Sequence, residues 1–175
     1  YSINQLKSDD REIIFKNTNA EFHSLLDASI PKSVKIEADL NQKLIEIGYK
    51  EIEVGFPSAS ETDFNFVREL ILDGHIPSDV TIQVLTQSRE ELINKTIDSL
   101  QGCENAIIHL YNSTSTLQRK VVFRENMEGV KKIATDGAKI IRNNVSKLNK
   151  SNIRFEYSPE SFTGTELEYA LDVCE

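Results

Sequence analysis

The stretch that decides the fold is Glu51-Ile-Glu-Val-Gly-Phe56, which runs into the polar cluster Pro57-Ser-Ala-Ser60. A short apolar run with β-branched residues that ends at turn-forming residues is typical of a strand. Three more runs of this kind follow, over residues 80–85, 106–111 and 153–157. A helix-like stretch comes after each of them. Because strands that alternate with helices form parallel sheets, we predict an α/β fold.

Apolar residues at helical spacing predict the helices that flank these strands. The predicted helices cover residues 33–47, 64–71, 88–100, 127–148 and a last stretch from about residue 165. Gly48 is well placed to end the first of them. Thr62 or Asp63 is expected to cap the second, and Ser88-Arg-Glu-Glu91 has the pattern of a capping box at the third.

The length of 175 residues fits one domain. Residues 1–32 form a divergent N-terminal segment, and residues 33–175 are predicted to form part of a (β/α)8 barrel, of which four or five strands are about half. The pattern of the last helix continues to Glu175 without a residue that would end it, so we expect a chain truncated in that helix. Val54, Val84 and Phe155 are expected to face the barrel interior, where a half barrel offers no opposite wall.

The composition excludes several classes of partner. The formal net charge is −8 and the sequence pI is about 5.0, which is poorly suited to binding a phosphate backbone, so we expect no nucleic acid partner. No stretch approaches the roughly 20 apolar residues that a membrane span needs. Cys103 and Cys174 lie far apart and form no metal-ligand spacing, and the first ten residues lack the apolar core of a signal peptide. We therefore expect a cytoplasmic protein.

Polar residues at the carboxyl ends of the predicted strands are the candidate functional groups, because that edge is the active face of a barrel enzyme. His109 is a candidate ligand to an oxygen-rich substrate, with a satisfied core histidine as the alternative. Ser158 is a candidate substrate-binding hydroxyl and Glu160 a candidate acid/base carboxylate, with helix capping as the alternative for both. Glu156 is expected either to face the interior or to pair with Arg154.

Other polar clusters have simpler explanations. Ser58, Ser60 and the pair Thr86-Gln87 are expected to be helix caps rather than ligand contacts. The chain has no His-x-His, Cys-x-x-Cys, GxGxxG or Walker motif, so it carries no self-sufficient metal cluster and no nucleotide-binding loop of those kinds.

Four ordered motifs, over about residues 40–175, resemble the 2-isopropylmalate synthase family. They read Lys50-Glu-Ile-Glu-Val-Gly-Phe-Pro-Ser-Ala-Ser-Glu-Thr-Asp-Phe64, Val80-Thr-Ile-Gln-Val-Leu-Thr-Gln87, His109-Leu-Tyr-Asn-Ser-Thr-Ser115 and Arg154-Phe-Glu-Tyr-Ser-Pro-Glu-Ser-Phe-Thr-Gly-Thr-Glu166. The resemblance implies an acyltransferase of the metal-dependent Claisen-condensing type in leucine biosynthesis. It implies the substrates acetyl-CoA and 2-oxoisovalerate, contacts from His109 and Ser158 to the oxo acid, and a role for Glu160 at the reacting centre.

The resemblance also implies a divalent cation (zinc, manganese or magnesium) and a homo-oligomer of the full-length enzyme. The family's Arg-Asp-Gly-Asn-Gln motif has no match here, and its His-x-His motif lies on a later strand that the chain does not contain. We therefore expect the metal ligands to be absent from this chain and the chain alone to turn over little or no substrate. Two alternatives stay open: a non-catalytic half-barrel remnant or assembly module, and a fragment of a homocitrate- or citramalate-type synthase.

Overall fold

A four-stranded parallel sheet lies at the centre of the computed structural model, which describes residues 40–148 and 152–175. The strands are β1 (Glu51–Gly55), β2 (Thr81–Gln87), β3 (Asn105–Ser113) and β4 (Asn152–Glu160), in that spatial order. All three pairings are parallel. The predicted α/β class and the four predicted strands are confirmed. Because β3 and β4 run further than predicted, Ser158 and Glu160 lie in a strand and not in a loop.

A helix follows each strand. The four are α1 (Glu61–Leu72), α2 (Glu90–Ser99), α3 (Met127–Asn144) and α4 (Leu167–Cys174). Residues 40–47 are also helical, and Gly48 follows them at φ +108°, as predicted for a helix stop. Between β3 and α3 the chain forms a short helix at Thr116–Gln118 and a π-helical turn at Arg119–Phe123. The prediction for residues 1–32 lies outside the described residues.

The caps differ in part from those predicted. Ser60 caps α1, because its hydroxyl accepts a hydrogen bond from the backbone N–H of Asp63 at 3.0 Å. The expectation that Ser60 is a cap is confirmed, and the choice of Thr62 or Asp63 was wrong. The capping box at Ser88 was also wrong: the N-cap position of α2 is Arg89, and the Ser88 hydroxyl donates to the carbonyl oxygen of Ile133 at 2.6 Å. Because α3 packs over Ser88, the Ser88 hydroxyl bonds to a carbonyl oxygen of α3 instead of capping α2.

The main core lies between one face of the sheet and the helices. Ile82 and Val84 of β2 and Ile108 and Leu110 of β3 are fully buried there. They pack in one cluster with apolar residues of α1, α2 and α3, among them Val67, Ile93, Ile97 and Ile141. Burying each side chain of this size contributes about 1.5–3 kcal/mol. The apolar strand residues that define the runs in the sequence are therefore the ones that hold the helices on one side of the sheet.

The expectation that Val54, Val84 and Phe155 face a barrel interior was wrong. Val84 is fully buried against the helices, and Val54 packs on the same core. Phe155 is in register with Ile108 and therefore points to the helix side as well. Side chains alternate between the two faces of a strand, so an assignment that is off by one residue exchanges the faces. The other face of this sheet is largely polar.

The described residues include no helix that is both long enough and apolar enough to cross a membrane.

Candidate functional site

His109 is the centre of a polar cluster on the face of the sheet opposite the helices, which we call the inner face. Its Nε2 atom lies 2.7 Å from the Ser158 hydroxyl oxygen on β4. Its Nδ1 atom lies 3.0 Å from a carboxylate oxygen of Glu53 on β1 and 3.0 Å from the side-chain nitrogen of Gln83 on β2. The His109 side chain is 15% exposed. It is therefore a largely buried histidine whose two ring nitrogens both have hydrogen-bond partners.

The hydrogen-bond network assigns a tautomer to His109. Gln83 donates from its side-chain nitrogen to the Glu53 carboxylate at 3.0 Å, and that same carboxylate oxygen is the acceptor nearest Nδ1. The consistent arrangement has Nδ1–H donating to Glu53. Nε2 then faces Ser158, where a neutral ring accepts from the hydroxyl. The Ser158 hydroxyl thus faces a ring nitrogen whose orientation Glu53 fixes through Nδ1.

Two further charged residues of β4 lie on the inner face. Glu156 places a carboxylate oxygen 3.6 Å from His109 Nε2, so the first of the two expectations for Glu156 is confirmed. Arg154 forms its ion pair with Glu51 on β1 instead. Arg154 and Glu156 are two residues apart and so share a face. The Arg154–Glu51 pair joins the first and fourth strands, which shows that side chains from both outer strands meet over the inner face.

Glu160 ends β4 on the inner face, two residues after Ser158. Its carboxylate accepts a hydrogen bond from the Ser113 hydroxyl at 3.0 Å, and its backbone carbonyl accepts from the Thr114 N–H at 3.0 Å. Ser113 and Glu160 are the last register pair of β3 and β4. The structure thus puts His109, Ser158 and Glu160 on one face and brings the first two into contact. Their roles in substrate binding and catalysis stay predictions.

Apolar and aromatic side chains flank the polar cluster. Leu85 is the register partner of His109 on β2 and lies on the same face. Tyr111 lies two residues after His109, and its ring packs edge-on against Phe56 with 6.1 Å between centroids. Burial raises the pKa of Tyr111 above its usual value, which keeps the phenol protonated. The inner face therefore offers an apolar wall beside the His109–Ser158 pair.

Thr86 was wrongly expected to be a cap. It is fully buried and in register with Leu110 on the helix side of the sheet, while Arg89 occupies the N-cap position of α2. Ser58 is buried too, and its hydroxyl accepts from Thr96 at 3.2 Å. Neither residue reaches the inner face.

A buried arginine joins the loops that follow β3 and β4. The Arg119 guanidinium makes a two-pronged contact with the Glu166 carboxylate at 2.7 and 2.9 Å, and it also donates to the carbonyl oxygen of Thr114 at 2.6 Å. It lies 4.8 Å from the centre of the Tyr169 ring. The Arg119 hydrogen bond lowers the pKa of Glu166 from 4.5 to about 2. This pair fixes the carboxyl ends of two strands relative to each other.

Sequence reasoning missed Glu53, Gln83, Ser113 and Arg119. Glu53 and Gln83 alternate with apolar residues inside the first two runs, and that alternation was the available signal that they lie on the opposite face of the strand from those apolar residues. Ser113 and Arg119 carried no comparable signal, because their partners lie 47 residues away along the chain.

The donors at this site do not fit the divalent metal that the resemblance implies. Across residues 40–148 and 152–175, no three His, Cys, Asp or Glu side chains come together in a way that could hold a metal ion. Both ring nitrogens of His109 already face hydrogen-bond partners.

Repeated β/α units with polar groups along one face and at the strand ends define the class of α/β barrel proteins. The chain belongs to the HMGL-like family, whose model matches residues 27–175. The fold is thus part of a (β/α)8 barrel.

Curated relatives bear the name 2-isopropylmalate synthase. That of Renibacterium salmoninarum is 58% identical over 144 residues, which are 82% of this chain and 25% of the relative. That of Kocuria rhizophila is 60% identical over 133 residues, covering 76% of this chain and 23% of the relative. That of Pseudarthrobacter chlorophenolicus is 63% identical over 131 residues, covering 75% of this chain and 23% of the relative. The chain spans about a quarter of the length of these relatives.

Proposed function

We propose that this chain is part of a 2-isopropylmalate synthase and carries a portion of its substrate site. The reaction joins acetyl-CoA to 2-oxoisovalerate and yields 2-isopropylmalate and free CoA. The observation that carries the proposal is the 2.7 Å contact between His109 and Ser158 on the inner face. Ser158 lies two residues before Glu160 on the same strand. The four ordered sequence motifs and the printed names of the relatives support the same assignment.

The chemistry of the His109–Ser158 pair suits a 2-oxo acid. The Ser158 hydroxyl can turn from Nε2 and donate a hydrogen bond to a carboxylate or ketone oxygen of the acid, and bonds to a charged oxygen are the stronger kind. Leu85, beside His109, provides an apolar contact for an aliphatic branch. Glu53 and Glu156 surround His109 with negative charge, which disfavours an oxo acid that carries a second carboxylate. These features support 2-oxoisovalerate over the substrate of a homocitrate-type enzyme.

Glu160 has the position of an acid/base group. Its carboxylate lies at the exposed end of β4, and Ser113 holds one of its oxygens. A positioned carboxylate that exchanges a proton with a reacting group contributes about 10²–10⁴-fold to a rate. We assign this role to Glu160 and substrate binding to His109 and Ser158.

The complete enzyme is proposed to act in the cytoplasm as a homo-oligomer with a divalent cation bound by residues other than those described. The present chain alone is proposed to have little or no turnover, since its inner face comes from four described strands only. The measurement is CoA-thiol release from acetyl-CoA and 2-oxoisovalerate with added manganese or zinc. Robust turnover by the chain alone would contradict the proposed inactivity.

The roles of the site residues are tested in a chimera. Residues 40–175 replace the matched quarter of the Pseudarthrobacter chlorophenolicus enzyme. We expect His109→Ala to raise the KM for the oxo acid about tenfold, the effect of about one hydrogen bond, because the Ser158 hydroxyl loses the ring that holds it in place. We expect Glu160→Gln to lower kcat by about 10²-fold or more. His75→Ala is the matched control, because His75 is an exposed histidine in the loop after α1. Kinetics equal to the parent chimera from both site variants would remove their assigned roles.

A second candidate function is non-catalytic: a half-barrel module that pairs with another polypeptide. The observation in its favour is that, among the described strands, β1 and β4 each pair along one edge only. Open edges of this kind promote association. Light scattering tests this candidate, and a stable monomer that unfolds cooperatively would argue against it. In the thiol assay, a faster reaction with pyruvate or 2-oxoglutarate would point instead to a citramalate- or homocitrate-type synthase.

A further inference from the structure

We propose that Ser113 is a positioning residue for Glu160, and that the Arg119–Glu166 ion pair keeps Ser113 in place. The inference rests on the proposed function, in which Glu160 exchanges a proton at the reacting centre. It assigns a task to three residues on or beside the strand ends that do not themselves contact the oxo acid.

The first observation is a chain of hydroxyl groups that ends on the Glu160 carboxylate. The Ser113 hydroxyl lies 3.0 Å from the Glu160 carboxylate and 3.0 Å from the Ser161 hydroxyl. Ser113 has one hydroxyl hydrogen, and a carboxylate can only accept. Ser113 therefore donates to Glu160 and accepts from Ser161. Hydrogen bonds arranged in this order polarise and strengthen one another.

The second observation is that the backbone beside Glu160 is held in an unfavourable conformation. Ser161 lies in the left-handed region at φ 59°, which is uncommon for any residue with a side chain. The Ser161 carbonyl accepts hydrogen bonds from the Gly164 N–H at 3.0 Å and the Thr165 hydroxyl at 3.2 Å. Strained residues that their surroundings hold in place in this way cluster at functional sites. This turn sets the direction in which Ser161 meets Ser113.

The third observation is the anchor behind Ser113. Arg119 is buried and bonds to the carbonyl oxygen of Thr114, the residue after Ser113. Two nitrogens of the same guanidinium donate hydrogen bonds to the Glu166 carboxylate, and Glu166 is the N-cap residue of α4. Two parallel hydrogen bonds from a planar guanidinium fix geometry better than a single charge can. Arg119 thus ties the end of β3, where Ser113 lies, to the start of the helix after β4.

The expected effect is on the rate and not on binding. Glu160 is exposed, so its carboxylate would sample several rotamers without a fixed partner. Ser113 is 6% exposed and offers that partner from a rigid strand end. Removing its hydroxyl should lower kcat about tenfold, because a misplaced catalytic group slows the step that it assists. The KM for the oxo acid should not change, since Ser113 contacts Glu160 and not the His109–Ser158 pair.

The kinetic test uses the chimera described above. Ser113→Ala should show the loss in kcat, and Ser113→Thr, which keeps a hydroxyl, should restore most of it. Arg119→Lys should give an intermediate loss, because one ammonium cannot replace the two-pronged contact. Lys131→Met is the matched control: it breaks the 2.6 Å Lys131–Asp172 ion pair, which joins α3 to α4 and involves none of the residues proposed to hold Glu160. Parent kcat in Ser113→Ala would overturn the proposal.

Ser161→Gly separates positioning from stability. Glycine adopts the left-handed conformation without strain, so this variant should unfold at the same or a higher temperature while kcat falls. A residue with only a structural role would not change the two quantities in opposite directions. If kcat stays at the parent value in Ser161→Gly, the chain of hydroxyl groups has no function.

A spectroscopic readout distinguishes failure of this inference from failure of the proposed function. In the 175-residue chain with isotope-labelled glutamate carboxyl carbons, Ser113→Ala should shift the Glu160 resonance at neutral pH, and Lys131→Met should not. An inactive parent chimera would refute the proposed function, and the resonance would still decide whether Ser113 holds Glu160. An unshifted resonance would overturn the positioning role, whatever the kinetics.

Discussion

Gly137→Ala provides a sharp test of how closely α3 packs on the sheet. Gly137 lies in the middle of α3, where alanine is normally the better residue by about 1 kcal/mol. A Cβ atom at Gly137 would lie 2.1 Å from the Ser88 hydroxyl oxygen, 3.2 Å from the Ser88 Cβ and 3.1 Å from a methyl group of Leu110. The first distance is impossible without movement.

The magnitude follows from these contacts. Overpacking of a well-packed interior costs about 1–3 kcal/mol. Moving the Ser88 hydroxyl also breaks its hydrogen bond to Ile133, which contributes about 1 kcal/mol. The gain in helix propensity offsets about 1 kcal/mol of this. We therefore expect Gly137→Ala to lower the free energy of unfolding by about 1–3 kcal/mol.

The assay is urea unfolding of the chain, followed by far-ultraviolet circular dichroism. Gly129→Ala is the matched control in the same helix, because the atoms nearest to its Cβ belong to the exposed Glu125 side chain, whose carboxylate can move away. Adding Ser88→Ala to Gly137→Ala should recover part of the loss, since residues in contact do not contribute independently. If Gly137→Ala is as stable as the parent chain, the close contact of α3 with Ser88 and Leu110 is refuted.

Three further predictions concern the chain itself. The hydrogen bond from Arg119 lowers the pKa of Glu166 from 4.5 to about 2. The contribution of the Glu166 carboxylate to stability is therefore complete above pH 4.5 and is lost as the pH falls toward 2. Glu166→Gln should therefore flatten the pH dependence of the unfolding midpoint in that window, and an unchanged slope would contradict the ion pair. A thiol reagent should modify the exposed Cys174 quickly and Cys103 only on unfolding, because burial raises the pKa of the Cys103 thiol; two fast thiols would contradict the burial. Leu70→Ala, at a fully buried position, should lower the free energy of unfolding by about 2–5 kcal/mol. Leu72→Ala, at an exposed position, should change the free energy of unfolding by less than about 0.5 kcal/mol in urea unfolding. Equal losses from the two variants would contradict the burial of the Leu70 face of α1.

Local patterns were enough to predict the elements. Each apolar run in the sequence became a strand, and the stretch from Met127 became the long helix that the spacing of its apolar residues indicates. Positions of caps were less predictable. Ser88 has the residue types of a capping box, yet its hydroxyl bonds to Ile133 in another helix. A cap depends on which acceptor lies nearest after packing, and the neighbouring residues in the chain do not determine that.

The candidate site was predictable in part. His109, Ser158 and Glu160 were chosen because polar groups stand near the ends of apolar runs, and the structure puts all three on one face. Their partners were not predictable: Glu53 lies 56 residues from His109, and the partner of Arg154 is Glu51 at a separation of 103 residues. Pairs of this kind form only when strands far apart in the chain become neighbours.

The sequence by itself determined the alternation of strands and helices, the parallel sheet and the family, because these depend on local residue patterns and ordered motifs. Only the tertiary structure decided which side of each strand faces the helices, and so why Val84 lies in the core while Gln83 and His109 meet on the inner face. The physical reason is the period of two along a strand. A shift of one residue exchanges the two faces, and only the packing of helices against one of them selects between the alternatives.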